Sequence, residues 1–362
     1  MKSKQIFGNR RIQRTGRSAL VALLLFFAGC GEDLPQVQTD IVRYEGRLLQ
    51  LGVQDSSSCL EEFYKTFGRE KYNLVYWLYE ADSAAYDTAL GSVQKADSAL
   101  AQDLCQMGGN EAYQDLTDSI YSYFPPDFNF AELFHDPLAR LKKFFPEDSV
   151  PIVRSIAMGH TPGVHWQIGY THDRVAWHPR YRMITFSLDY FCRPGFPLLP
   201  PDMPRYIRHR CAPDYLLPAV FHAMAIDYHQ PIQQVDRPRL LDYMINAGIR
   251  YAFVEAMLPD TPDSLLLRYT EPQMEWCEDH EEELYELLLP ILYEQNPQVY
   301  DRYVNMGPRT KGLDPNAPSR LGEFIGWQIV RQYLDDHPEV TLLELMATRD
   351  YTQLFKAARY KP

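Results

Sequence analysis

Two histidines invite a chemical reading, His222 and His229, within the apolar stretch PDYLLPAVFHAMAIDYH from Pro213 to His229. Metal-dependent hydrolysis needs two histidines at i and i+4 on one helix face, with a glutamate beside the first as general base. Here Ala223 holds the glutamate position after His222, and Ile226 holds the second histidine position. Taking His229 as the second ligand puts Ala225 and Ile226 where ligand and base should stand. His222 and His229 share a face at i, i+7 but lie roughly 10 Å apart at 1.5 Å rise per residue, too far for one ion. His222 therefore reads as a hydrogen-bonded, half-buried side chain. His160 and His165, with His172 and His178, crowd a strand-like region, where alternation could bring two or three together as a second weak metal candidate. Cys277 and His280 have ligand spacing without a second pair nearby. Asp189 follows a strand with no partner base in view. No Gly-x-Ser-x-Gly elbow or glycine-rich phosphate loop occurs. Catalysis is not expected, and neither zinc nor any other cofactor is.

The element bearing His222 ends at Pro231, and a second helix, RPRLLDYMINAGIRYAFVEAMLP, runs from near Pro238 to Pro259. Upstream, SIAMG, VHWQIGY and RMITFSL alternate like strands, with Ile184, Phe186 and Leu188 on one face. Residues 150–191 read as three or four antiparallel strands with turns near Gly159, Gly163 and Gly169. Residues 41–148 read as helices, the first capped by Asp40, and residues 213–362 as helices again. Gly322 and Gly326 fall one turn apart in RLGEFIGWQIVRQYLDDHP, a spacing that lets helices pack closely. The fold class expected is α+β, mainly helical with a small antiparallel sheet.

Ahead of this body stand six basic residues (Lys2, Lys4, Arg10, Arg11, Arg14, Arg17) and the apolar run Ala19–Ala28, too short to span a bilayer as a helix of about 20 residues. The run closes on Phe27-Ala28-Gly29-Cys30, the arrangement of a bacterial lipobox. The expected division is therefore a signal peptide over 1–29, a linker over 30–40 beginning at a lipidated Cys30, and one domain over 41–362. Removing the six basic charges takes the net charge from −12 to −18, which argues against nucleic acid and against binding anionic lipid by charge. Five cysteines remain after Cys30. Cys59 with Cys105, or Cys192 with Cys211, could bridge, and at least one thiol stays free. Between Arg193 and Pro213 a proline-dense stretch reads as an extended surface wrap, locally basic through Arg205, Arg208 and Arg210, a candidate contact for an acidic partner.

Six segments in order carry a resemblance. They are ITFSLDYF (Ile184–Phe191), DMPRYIRHRCAPDYLLP (Asp202–Pro218), MINAGIRYAFVEAMLP (Met244–Pro259), RYTEPQMEWCEDHEEELY (Arg268–Tyr285), GEFIGWQIVRQYL (Gly322–Leu334) and ARYKP (Ala358–Pro362). With the lipoprotein signal, the chain resembles the gliding-motility lipoprotein B family (GldB) of Bacteroidetes. The resemblance implies a lipid-anchored, periplasm-facing envelope protein of the gliding-motility or allied secretion machinery, with envelope proteins as partners. It also implies a degenerate zincin-like core, with Ala247 standing before Gly248 where related peptidases carry a glutamate. The expected function is non-catalytic. The alternatives are a metal-dependent peptidase or hydrolase, or a peptide-binding envelope lipoprotein.

Overall fold

The computed structural model describes residues 33–52, 56–67, 102–157, 174–197, 199, 203–229 and 232–362. Their architecture is α+β, mainly helical with one four-stranded mixed sheet. The chain forms two compact units. One comprises Thr39–Ala131 and Pro151–Val220 and carries the sheet. The other comprises Glu132–Val150 and Phe221–Pro362, with the described residues up to Gln38, and is built from helices.

In the sheet unit, β1 (Ile41–Arg43), β2 (Ile152–Ile156), β3 (Val175–His178) and β4 (Met183–Ser187) lie in the order β1-β2-β4-β3. β1 pairs parallel with β2, β2 parallel with β4, and only β3 runs antiparallel to β4. This corrects the expected antiparallel sheet. The chain returns through β3, turns over a 3₁₀ segment at Pro179–Tyr181 with Arg182 left-handed, and so brings β4 alongside β2 in the same direction. Every residue of β4 is buried, polar Thr185 and Ser187 included, as befits a central strand covered on both faces. Gly159, Gly163, Gly169 and the segment VHWQIGY lie outside the described residues.

A second correction concerns Asp40, which does not cap a helix. Arg154, 1% exposed, donates to both the Asp40 backbone carbonyl (2.9 Å) and its carboxylate (2.8 Å). That fixes the backbone so that β-branched Ile41 and Val42 extend the sheet, and α1 (Tyr44–Gly52) starts only afterwards. α2 (Ser56–Phe67), α3 (Glu111–Tyr121) and α4 (Phe130–Phe144) follow, α3 opened by Asn110 accepting from the Ala112 amide. Cys59 on α2 is bonded to Cys105, with Cα atoms 6.4 Å apart. Cys192 and Cys211 remain separate buried thiols, so that possible bridge does not form. Closing a loop of this length contributes about 2–4 kcal/mol. Reduction, or Cys59→Ser with Cys105→Ser, should lower stability by that amount in urea titration; an unchanged midpoint would show that the bridge constrains nothing.

Contrary to expectation, the described residues of the proline-dense stretch do not all lie on the surface in extended form. Phe196, Leu199, Met203 and Ile207 sink into the core, and Arg205–Arg210, which contains no proline, winds into 3₁₀ helix.

The helical unit takes the end of α5 (Leu216–Tyr228), then α6 (Leu240–Met257), α7 (Asp263–Leu267), α8 (Glu271–Asp279), α9 (Glu281–Leu288), α10 (Pro297–Val304), α11 (Leu321–Asp336), α12 (Leu342–Ala347) and α13 (Tyr351–Ala358). α6 and α11 form its centre and cross at two glycines. A Cβ on Gly326 would stand 1.9 Å from the Met244 carbonyl oxygen, and one on Gly248 would stand 2.3 Å from that of Gly326. Backbone meets backbone there. α8 and α9 are separated at His280, whose ring stacks on Trp276 at 4.2 Å while Nδ1 bonds the Trp276 carbonyl.

Candidate functional site

The residues singled out by sequence do not converge. Cys30, His160 and His165 lie outside the described residues. His222, on α5, is half-buried, its Nε2 2.6 Å from the Leu266 carbonyl oxygen and its ring edge-on to Tyr251 at 4.9 Å. His229 is fully buried: Nδ1 sits 2.8 Å from the Met346 carbonyl and Nε2 3.0 Å from the Tyr351 hydroxyl. A carbonyl can only accept, so Nδ1 carries the proton and Nε2 accepts from Tyr351, whose oxygen in turn accepts from Asn246 (2.8 Å). Both ring nitrogens are thus committed. Among the described residues, no three His, Cys, Asp or Glu side chains are grouped to hold a metal ion.

Burial pushes His229 from 6.5 down to about 4; the Met346 carbonyl acts against this, and Arg250 and Arg349 act with it. Between those values the unfolded chain binds a proton that the folded chain refuses, so stability is complete above pH 6.5 and falls as pH drops toward 4. His178 shares the direction and the window through burial. The His229 share is on the order of 3 kcal/mol. His229→Gln should flatten the decline in melting temperature between pH 6.5 and 4, and an unchanged slope would refute the assignment.

Of the three candidate partner-binding arginines, Arg205 is exposed. Arg208 is half-buried and donates to the Met203 carbonyl at 3.1 Å, and Arg210 is buried. Asp189 finds the partner that sequence could not name: the Ser187 hydroxyl donates to it. At the same carboxyl end of the parallel strands, Ser155 donates to the buried Glu45 carboxylate (2.9 Å), which also pairs with Arg43 (2.5 Å). Tyr113 is buried nearby. Burial first, then Glu45 and Asp189, push its phenol well above the ordinary range, with Thr117 acting the other way.

Among the described residues, a dense charged arrangement lies in the helical unit, around the Tyr251 hydroxyl. Arg320, 2% exposed, donates through Nη1 to Tyr251 (2.8 Å) and to Glu323 (2.8 Å), and through Nη2 to the Leu267 carbonyl (2.7 Å). Tyr251 donates to the same Glu323 oxygen at 2.5 Å. The Arg320 guanidinium also lies over the Tyr269 ring, 4.9 Å from its centre. Arg250, next to Tyr251 on α6, donates to Asn246 and feels the Glu323 charge; Arg268, ending α7, acts on the Tyr251 phenol. Burial, then Glu323, push Tyr251 up to about 12, with Arg320 and Arg268 opposing, so the phenol stays a donor. Arg320 and Tyr251 converge on one oxygen of the Glu323 carboxylate. Charge-assisted bonds of this kind fix the Glu323 carboxylate and the Tyr251 phenol in place. Sequence reasoning missed this arrangement, although Arg250-Tyr251 in the middle of a buried helix was the available signal.

A second ion cluster braces the next turn of α6, at Glu255. Arg331 binds Glu255 through Nε (3.0 Å) and Nη2 (2.8 Å) and Asp263 through Nη1 (2.6 Å) and Nη2 (2.9 Å). Trp327 donates to Glu255 at 3.1 Å and lies 3.5 Å beneath the guanidinium. All its donors and acceptors are matched to each other, which marks it as structural.

No curated protein and no solved structure matches the chain, so the expected likeness to zinc peptidases has no support. The family model described as gliding motility protein GldB matches residues 32–362, nearly the whole length. That coverage spans both units and all the residues just described, and the chain belongs to the gliding motility protein GldB family.

Proposed function

We propose that this chain is a lipid-anchored, periplasm-facing cell-envelope protein of the gliding-motility machinery or its allied secretion apparatus, acting by binding other envelope proteins. The family match over residues 32–362 carries this reading. Cys30 after Ala28-Gly29 supports acylation as the means of attachment, and among the described residues no helix is long and apolar enough to cross a membrane. A binding role fits the state of the two helix histidines: His222 is held to Leu266, and His229 has both nitrogens engaged.

The test is complementation of a strain lacking the chain. Wild type and His222→Ala should restore surface spreading. Cys30→Ser should leave the membrane fraction and fail to restore it. Full rescue by soluble Cys30→Ser would remove the anchor from the proposal. Loss of rescue by folded, membrane-bound His222→Ala would return catalysis to consideration.

A further inference from the structure

We infer that the outward face of α9 and the turn after it, from Glu282 to Tyr293, docks a partner protein segment that carries large apolar side chains beside lysines or arginines. This names a partner class for the binding role proposed above and rests on that role. Of the six large apolar side chains that stand exposed among the described residues, three belong to this face: Leu287 (38%), Leu289 (47%) and Tyr293 (51%). Pro290 is exposed between them. Buried Leu284, Leu288 and Leu292 recur at every fourth position and anchor the element on its inner side. With that stripe already holding the helix, burial gives no reason for leucine rather than a polar residue at 287 and 289. An apolar patch kept in water in this way marks a contact surface. The Arg239 guanidinium lies 5.4 Å from the centre of the Tyr293 ring, which fixes the ring while leaving it exposed.

Charge identifies the occupant. Glu282, Glu286, Leu289 and Tyr293 succeed one another at intervals of four, three and four, so carboxylates and apolar groups share one stripe. Glu282, Glu283 and Glu286 are exposed and have no ion-pair partner among the described residues. Glu282 and Glu283 stand in the first turn of α9, where the helix dipole favours acids. Glu286 stands in the last turn, where the dipole opposes an acid, so helix stability does not account for it. Carboxylates beside an apolar patch attract a cationic rim on the partner and repel an anionic one. A second copy would bring the same carboxylates to the seam, and anionic lipid headgroups would be repelled. A segment with Leu or Phe beside Lys or Arg meets both halves of the face, its long basic side chains reaching from the apolar contact to the glutamates.

The test uses the full chain carrying Cys30→Ser, so that no acyl group contributes, and three peptides with blocked ends. These are LKKLLKLLKKLLKL, the same with every lysine as glutamate, and the same with every leucine as serine. In calorimetric titration the leucine-lysine peptide should bind saturably, with both controls at least about tenfold weaker. Leu289→Ser should weaken it roughly tenfold with the urea midpoint unchanged, since that side chain is exposed. Glu282→Gln with Glu286→Gln should weaken it about threefold and flatten its salt dependence. Glu111→Gln with Asp115→Asn makes the same charge change on α3 and should alter neither. No saturable binding, equal binding of the serine peptide, full affinity in Leu289→Ser, or an equal loss from the α3 pair would each overturn the assignment. So would a dimer, or binding to phosphatidylcholine vesicles, that Leu289→Ser abolishes. The envelope role is judged by complementation, so the two readings fail separately.

Discussion

Gly326→Ala should destabilise the protein by about 2–3 kcal/mol, although alanine is the better helix former by about 1 kcal/mol. The reason is what the new methyl group meets. It would lie 1.9 Å from the Met244 carbonyl oxygen, 2.4 Å from that carbon and 2.8 Å from the Met244 Cα, all backbone atoms of α6. No rotamer change relieves such a clash, so α6 and α11 must separate, and the interlocked side chains along both helices lose contact together. Gly248→Ala should act in the same direction, because its methyl would press on the Gly326 carbonyl from the other helix at 2.3 Å. The two losses should not add, since either substitution already parts the same crossing. Gly46→Ala is the natural control: its Cβ meets only the Tyr121 hydroxyl, at 3.4 Å, and the helix should gain slightly. The measurement is urea unfolding of the three variants. A Gly326→Ala midpoint at or above wild type would show that the crossing is looser than its geometry implies.

Glu255→Ala should cost about 3–5 kcal/mol, the largest loss expected from removal of one charge. Arg331 is held charged by Asp263 and Glu255 even though burial works against it. Removing Glu255 takes away two of its four charge-assisted bonds and leaves the buried Trp327 N–H without its acceptor. Replacing both partners is a different experiment. Glu255→Leu combined with Arg331→Met removes donor and acceptor together and keeps aliphatic contact with the Trp327 face, so most of the loss should be recovered. Thermal melts of the single and double variants compare the two directly. If the double variant is as unstable as Glu255→Ala, packing around the cluster rather than the unpaired charge sets the cost.

The helices of the second half were legible because proline marks their ends. Pro213, Pro231, Pro238 and Pro259 bracket α5 and α6, and the helices lie within those limits. The spacing of Gly322 and Gly326 announced a close crossing, and Gly326 makes one with Met244. β1 was not legible, because three extended residues before a helix look like its first turn until Arg154 is known to hold Asp40 from another strand. Strand direction was hidden for a similar reason: alternation within Met183–Ser187 is the same whichever way its neighbour runs, and the connection decides. The Tyr251 cluster was the least legible. Each of Arg250, Arg268, Arg320 and Glu323 reads alone as a solvated charge, and only the tertiary fold brings them to one phenol. Conversely, spacing alone already separated His222 from any i+4 histidine, and the structure gives each helix histidine a carbonyl to bind.

The parallel pairing of β1 has a consequence for how the chain acquires its shape. Ile41 is matched to Val153 and Arg43 to Ser155, so the earliest strand has no partner until more than a hundred further residues have emerged. Contacts this distant in sequence close slowly, after local helices have formed. During synthesis the β1 segment therefore waits unpaired while the remainder follows. Agents that shield such a segment, or that hasten completion of the sheet, would set the yield of folded protein more than any choice made within the helical half.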